Sequence, residues 1–258
     1  MKNNRTYKKI AIITGAAGGI GSAIADKLIE DVDILILMDI NRDKLSQLMK
    51  KLNSSAATQI IGTLCDISDS KSVNKELEKI VSEIGLPNIL INNAGIGGPF
   101  HRLDEVSDEE WYQIINTNLK GVFNLSRYLL PHMKQQGYGR VINIASVQGY
   151  LGAALSSTYV ASKHGVIGYT RAIAAEWGAY GITCNAVCPG YVDTIMGIQE
   201  EAISGHKQSV ISKTPLARLA QPSEIGSLVK RLIHDELFFI NGSVITIDGG
   251  LTCHVGIT

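Results

Sequence analysis

Tyr159 and Lys163 stand four residues apart in Tyr159-Val-Ala-Ser-Lys163, a spacing that puts both on one face of a helix, one turn apart. A phenol held beside an ammonium is chemically useful. Free tyrosine ionises near pH 10, roughly three units too high for ready proton exchange at neutral pH. A fixed positive charge favours the phenolate, and a shift of three units corresponds to about 4 kcal/mol of differential stabilisation. The pair would then act as a general acid and base towards an alcohol or a carbonyl. Tyr-x-x-x-Lys also occurs by chance on many helices, so its meaning depends on its neighbours.

A second constellation lies near the N-terminus. Thr14-Gly15-Ala16-Ala17-Gly18-Gly19-Ile20-Gly21 joins an apolar run to a stretch with helical spacing. Gly15, Gly19 and Gly21 allow a tight turn and a close approach of backbone to a bound group. The free N–H groups of a helix start, together with its dipole, suit a pyrophosphate. Asp39 follows Gly21 by 18 residues, where an acid accepts hydrogen bonds from the adenosine ribose of NAD. Its charge would repel the additional phosphate of NADP. No basic residue lies within the glycine turn, and the nearest one considered is Arg42. NAD(H) is therefore the expected cofactor, with NADP(H) second.

The elements that must position these residues alternate throughout. Segments 9–14, 33–39, 58–64, 87–92, 139–144, 182–187 and 243–247 read as strands, the first near-continuously apolar as buried parallel strands are. Helical spacing fills 19–30, 42–52, 69–84 and 156–180, and a capping box at Ser107-Asp-Glu-Glu110 opens a helical region reaching towards Gln136. Ser156 and Ser157 are expected to cap the helix that carries Tyr159, and Gln221-Pro-Ser-Glu224 opens the last helix. Such a pattern predicts an α/β fold in one domain, a doubly wound parallel sheet of about seven strands with helices on both faces. The stretch 190–218 shows no clear periodicity. It is expected to be a substrate loop or lid, the alternative being a pair of short packed helices.

Composition narrows the function classes. The 258 residues carry 24 Lys+Arg and 24 Asp+Glu, and zero net charge argues against a nucleic-acid or acidic-membrane footprint. No apolar run reaches the length of a membrane span, and the residues after Met1 are polar and unlike a secretory signal. Cys65, Cys184, Cys188 and Cys253 are scattered and complete no metal pattern. A cytoplasmic protein with reduced thiols and no metal is expected.

From Lys9 to Gly250 the motifs, in order, resemble those of the short-chain dehydrogenase/reductase family. The resemblance implies a Rossmann fold and an oxidoreductase that moves a hydride between NAD(H) and a secondary alcohol or ketone. It implies that the turn formed by Gly15, Gly18, Gly19, Ile20 and Gly21 holds the cofactor, that Asp66-Ile67 meets adenine, and that Asn93-Ala94-Gly95 lies along the cofactor. Asn92 and Asn93 also suit a plain strand-end turn. Pro189, Gly190, Val192 and Thr194 correspond to the segment that holds the nicotinamide, although Thr194 also fits an ordinary loop. Asn118, preferred over Asn116 because Leu119-Lys120-Gly121 follows it, corresponds to an active-site asparagine that binds a water beside Lys163. Ser146, 13 residues before Tyr159, corresponds to the catalytic serine. His164 is expected to be structural.

By the same resemblance Tyr159 is the proton carrier, Lys163 also holds the nicotinamide ribose, and the assembly is a tetramer built on the helices around 111–136 and 156–180. Loop lengths resemble 3-oxoacyl-acyl-carrier-protein reductases, so an NADPH-dependent reductase of that kind is the alternative. A catalytically inactive NAD-binding regulator is the alternative of another class.

Overall fold

Ile10–Thr14 (β1) is buried at every position. Successive strand residues face opposite ways, so Ala11 and Ile13 pack into one core while Ile10 and Ile12 pack into another. A strand buried on both faces must lie inside a sheet covered by helices on each side. The computed structural model, which describes residues 7–52, 58–194 and 206–253, places β1 in that position. Around it lie Ile34–Asp39 (β2), Gln59–Leu64 (β3), Ile89–Asn92 (β4), Gly139–Ile144 (β5), Ile182–Pro189 (β6) and Val244–Ile247 (β7). All seven strands are parallel, in the order β3-β2-β1-β4-β5-β6-β7.

Gly19–Leu28 (α1) and Arg42–Leu52 (α2) cover one face. Ser70–Glu83 (α3) lies on the other. Asp108–Ile115 (α4) precedes Gly121–Gln136 (α5) and Ser157–Trp177 (α6), and the last two pack on the same face as α3. His206–Lys213 (α7) and Pro222–Leu232 (α8) follow, with α8 beside α1. Each fully buried Ile or Leu contributes about 1.5–3 kcal/mol of transfer free energy, so these apolar positions fix the layers and the polar strand ends are free for chemistry. The sheet order reverses between β1 and β4. Ligands of such sheets bind there, outside the carboxyl ends of the strands.

Three departures from the sequence-based expectation concern the site. The helix expected to run on to Gln136 is interrupted by a π-turn at Asn116–Lys120, between α4 and α5. The segment 190–218 is not devoid of regular structure. It contains α7, and its base is tied by a parallel bridge between Val192 and Ala220, with Asp193 N donating to Ala220 O at 2.9 Å. The expected lid also takes in 195–205, which lie outside the described residues. Lastly, Ser156 occupies the cap position of α6 but makes no side-chain cap bond, because its backbone (φ −133°, ψ 28°) is not the extended form that aims a cap hydroxyl. Ser157 caps nothing either, since its buried hydroxyl has no partner among the described residues.

Candidate active site

The glycine turn is shaped first by its own packing. Gly15 has φ +60°, and a Cβ there would come within 2.7 Å of the Ala94 backbone. A Cβ on Gly21 would strike the Gly15 carbonyl and sit 2.8 Å from Asn93 Nδ2. Asn93 in turn clamps the loop: Nδ2 donates to Thr14 O (2.9 Å) and Gly15 O (3.0 Å), while the N–H groups of Asn93 and Ala94 both donate to Thr14 Oγ1. Asn93 is therefore a brace between β4 and the turn as well as part of the cavity wall. Gly18, at the cap of α1, brings no side-chain acceptor, and the first turn has no acid. Gly19, Ile20 and Gly21, the first residues of α1, line the cavity, and no side-chain cap satisfies their N–H groups.

Asp39, at the end of β2, is buried, yet it lines the same cavity. Its carboxylate accepts Ala17 N (2.8 Å) and Asn41 N (2.9 Å), and each oxygen keeps a lone pair for a further donor. The basic residue at this end of the cavity is Lys44. Arg42, the neighbour expected from the sequence, does not line it.

From Asp39 the cavity, about 720 Å³, runs along Asp66 and Ile67 and past Asn93, Ala94 and Gly95. It reaches Ser146, Tyr159 and Lys163 and is closed by Pro189, Gly190, Val192 and Thr194. Thr194 also touches the glycine turn, since a Cβ on Gly19 would lie 2.7 Å from its methyl. One length of cavity therefore joins Asp39, the uncapped start of α1 and the Tyr159–Lys163 pair. An elongated ligand with an anionic centre and hydroxyls at one end fits it, and so the residues fit a nicotinamide dinucleotide.

Lys163 is buried (4% exposed), and its Nζ donates to Ile144 O at 2.9 Å, at the end of β5. Nζ lies 5.6 Å from the centroid of the Tyr159 ring. Burial pushes the lysine down to about 8, opposed by nearby Cys188, so at pH 7 the charged form still exceeds the neutral one by about tenfold. Ser146 Oγ accepts Gln148 N (3.1 Å), which leaves its proton to donate. His164 Nδ1 meets Val160 O within the exposed side of α6, in keeping with a structural role.

Asn118 does not line the cavity. It is buried behind it in the π-turn, where Oδ1 accepts Ile96 N (2.8 Å) and Nδ2 donates to Ile96 O (2.9 Å) and Ser162 Oγ (3.1 Å). Both amide hydrogens are committed, so the expected water beside Lys163 could use only the second lone pair of Oδ1 or a main-chain carbonyl. Gly95 packs between the two side chains: a Cβ there would be 3.3 Å from Asn118 Oδ1 and 3.5 Å from Lys163 Nζ.

The family model for short chain dehydrogenases matches residues 9–203. The chain belongs to that family. It is 36% identical to nodulation protein G of Azospirillum brasilense, over 95% of this chain and 98% of that one. It is 35% identical to the 3-oxoacyl-acyl-carrier-protein reductase of Thermotoga maritima, over 96% and 99% respectively. An actinorhodin polyketide ketoreductase solved with NADPH superposes with a TM-score of 0.91 at 31% identity, covering 96% of this chain and 98% of its own. This short chain dehydrogenase is thus an oxidoreductase of a family that works with nicotinamide cofactors, on a Rossmann-type sheet of seven parallel strands.

Sequence reasoning missed Ser162. It is fully buried, donates to Tyr159 O (2.7 Å) and accepts from Asn118 Nδ2, so it fastens α6 to the π-turn. Its place within Tyr159-Val-Ala-Ser-Lys163 was the available signal, but a serine between two reactive residues looks like filler until its partner is known. Among the described residues no His/Cys/Asp/Glu group could hold a metal, and no helix is long and apolar enough to cross a membrane. All four cysteines are free. Burial raises the thiols of Cys65 and Cys188 to about 11 and that of Cys184 further, which makes them unreactive.

Proposed function

We propose that this short chain dehydrogenase interconverts a secondary alcohol and its ketone with NAD(H), using Tyr159 as general acid and base. The observation that carries the reading is the buried Lys163 ammonium against the Tyr159 ring, at the inner end of a cavity that begins at Asp39. Bound nicotinamide would supply the hydride acceptor or donor. Tyr159 takes the hydroxyl proton as the substrate carbon is oxidised and returns it in the reverse direction. Lys163 holds the phenolate by its charge. Ser146 donates its remaining hydroxyl proton to the substrate oxygen and stabilises charge developing there. Asn118 acts through position: with Ser162 and Ile96 it holds the π-turn, the strand-four loop and α6 in register, and its remaining acceptor completes a water path from Lys163.

Asp39, the glycine turn and the first N–H groups of α1 would hold the adenosine and pyrophosphate. Asp66 and Ile67 would flank adenine, and Gly190 to Thr194 the nicotinamide. Asp39 supports NAD(H) because a second phosphate would be set against a carboxylate. The segment 190–218 is assigned as the substrate loop. We place the protein in the cytoplasm as a homo-oligomer, a tetramer by family likeness, and the exposed Trp111 and Phe123 on α4 and α5 support such an assembly.

Lys44 favours a second reading. A lysine at the adenosine end could hold the additional phosphate, which fits an NADPH-dependent 3-oxoacyl reductase like the Thermotoga relative. The two readings, and an inactive regulator, separate in one experiment. Secondary alcohols, ketones and 3-oxoacyl thioesters are assayed with NAD(H) and NADP(H), following absorbance of the reduced cofactor. Turnover of alcohols with NAD(H) at tenfold or greater preference over NADP(H) is expected. Preference for NADPH and acyl thioesters would favour the second reading, and cofactor binding without turnover the regulator.

A further inference from the structure

Ser146 is presented to the cavity by a turn that ends at Tyr150. Ser146 Oγ caps the single 3₁₀ turn Val147–Gly149 by accepting Gln148 N (3.1 Å), and Gly149 N donates back to Ser146 O (2.8 Å). Tyr150 and Leu151 close the turn, each donating its N–H to Val147 O (3.2 and 3.1 Å). The turn lies directly on α6: a Cβ on Gly149 would come within 3.0 Å of Lys163 O and 2.6 Å of the Ile167 side chain. A shift of this turn therefore moves Ser146 relative to the helix that carries Tyr159 and Lys163.

One hydroxyl holds the far end of the turn. Tyr150 Oη lies 2.9 Å from Thr246 Oγ1 on β7 and 3.3 Å from Thr252 Oγ1. Thr252 Oγ1 gives its only proton to Asp248 Oδ2 (2.7 Å), so towards Tyr150 it accepts. Tyr150 therefore donates to Thr252 and accepts from Thr246. The hydroxyls form one directed chain from Thr246 through Tyr150 and Thr252 to a carboxylate, and the last bond is of the stronger, charge-assisted kind. That carboxylate is itself fixed, since it also accepts Gly250 N (3.0 Å) and Thr252 N (2.8 Å). A Cβ on Gly190, which lines the cavity, would lie 2.9 Å from Asp248 Cβ, and Leu216 N donates to Gly249 O (3.2 Å). Asp248 thus stands against the segment that closes the cavity, and the chain of hydroxyls ties the Ser146 turn to it.

We infer that Tyr150 is a positioning residue for the reaction, holding Ser146 in place through the chain Thr246–Tyr150–Thr252–Asp248. The inference rests on the role given to Ser146 above and adds a residue that does not itself line the cavity. The test measures kcat and KM for Ser146→Ala, Tyr150→Phe and Thr252→Val, and for Ser146→Ala combined with each of the other two. The substrate is the ketone or 3-oxoacyl thioester that the wild type turns over fastest, with the cofactor it prefers. Tyr150→Phe keeps the ring and removes the hydroxyl. It should lower kcat about three- to tenfold, the scale of one hydrogen bond, with KM changed by less than about twofold. Thr252→Val should do the same, and Thr252→Ser should restore wild-type turnover. In the Ser146→Ala background neither change should cost more than about twofold, because residues that act through one group are not additive.

If Ser146→Ala lowers kcat while Tyr150→Phe leaves it at the wild-type level, the inference is overturned and the role of Ser146 stands. Equal losses from Tyr150→Phe in both backgrounds do the same, since the effect would then bypass Ser146, and so does a loss confined to KM. Should Ser146→Ala be too slow to assay, the division between kcat and KM and the Thr252→Ser rescue decide. If Ser146→Ala turns over at the wild-type rate, the role of Ser146 fails and this inference with it. If the wild type turns over neither alcohols, ketones nor acyl thioesters with either cofactor, the proposed reaction fails, and the inference falls with it.

Discussion

Ser162 Oγ stands between Asn118 Nδ2 (3.1 Å) and Tyr159 O (2.7 Å), accepting from the first and donating to the second. This one hydroxyl joins the π-turn to the helix that carries both reactive side chains. Ser162→Ala should therefore leave a buried amide hydrogen unpaired and destabilise the protein by about 1–3 kcal/mol. It should also lower kcat more than it raises KM, because the substrate still binds while the acid/base pair is less well placed. Urea unfolding and steady-state kinetics check both. Rescue by Ser162→Thr, but not by Ala, would separate the hydroxyl from packing alone.

Lys163 carries a stability signature that is independent of turnover. Its folded pKa, depressed from 10.5 to about 8 by burial, means that the unfolded chain binds the extra proton between those values. Stability contributed by this residue therefore rises with pH across that window. The depression corresponds to about 3 kcal/mol at full titration. Wild type and Lys163→Met, compared by urea unfolding, should diverge in favour of the wild type between pH 8 and 10.5. Parallel curves would contradict the burial of a charged Nζ at Ile144.

Asp39 and Lys44, of opposite charge, both line the cavity and would pull the proposed cofactor preference in opposite directions. Asp39→Asn should lower the preference for NAD over NADP by tenfold or more, read as the ratio of dissociation constants. Lys44→Ala should weaken NADP more than NAD. Because Asp39 also accepts two backbone N–H groups, some loss of affinity for both cofactors is expected, and the ratio is the quantity that decides.

Much of this was readable in advance, and the limits have physical causes. β1 and α2 declare themselves because burial on both faces demands an uninterrupted apolar run in β1 and α2 carries Leu45, Leu48 and Leu52 on one side. The residues expected to hold a cofactor, from Gly15 to Thr194, all line one cavity, since parallel strands deliver their carboxyl ends to a common edge. The π-turn was invisible because nothing in the propensities of Asn116 to Lys120 distinguishes it from α-helix. Its signature is the long-range bonding of Asn118 to Ile96 and Ser162. Lys44 was overlooked in favour of Arg42 for a similar reason. Adjacency in sequence suggested one residue, while the turn of α2 carries another to the cavity.

The central claim is that the Tyr159 proton is the one exchanged with substrate. The most direct measurement is single-turnover reduction of a ketone by wild type and Tyr159→Phe, each saturated with NADH, alongside the NADH dissociation constant of each. The account predicts a rate loss of about 10²–10⁴-fold with NADH affinity changed by less than about threefold. A Tyr159→Phe variant that turns over at near wild-type rate would contradict it.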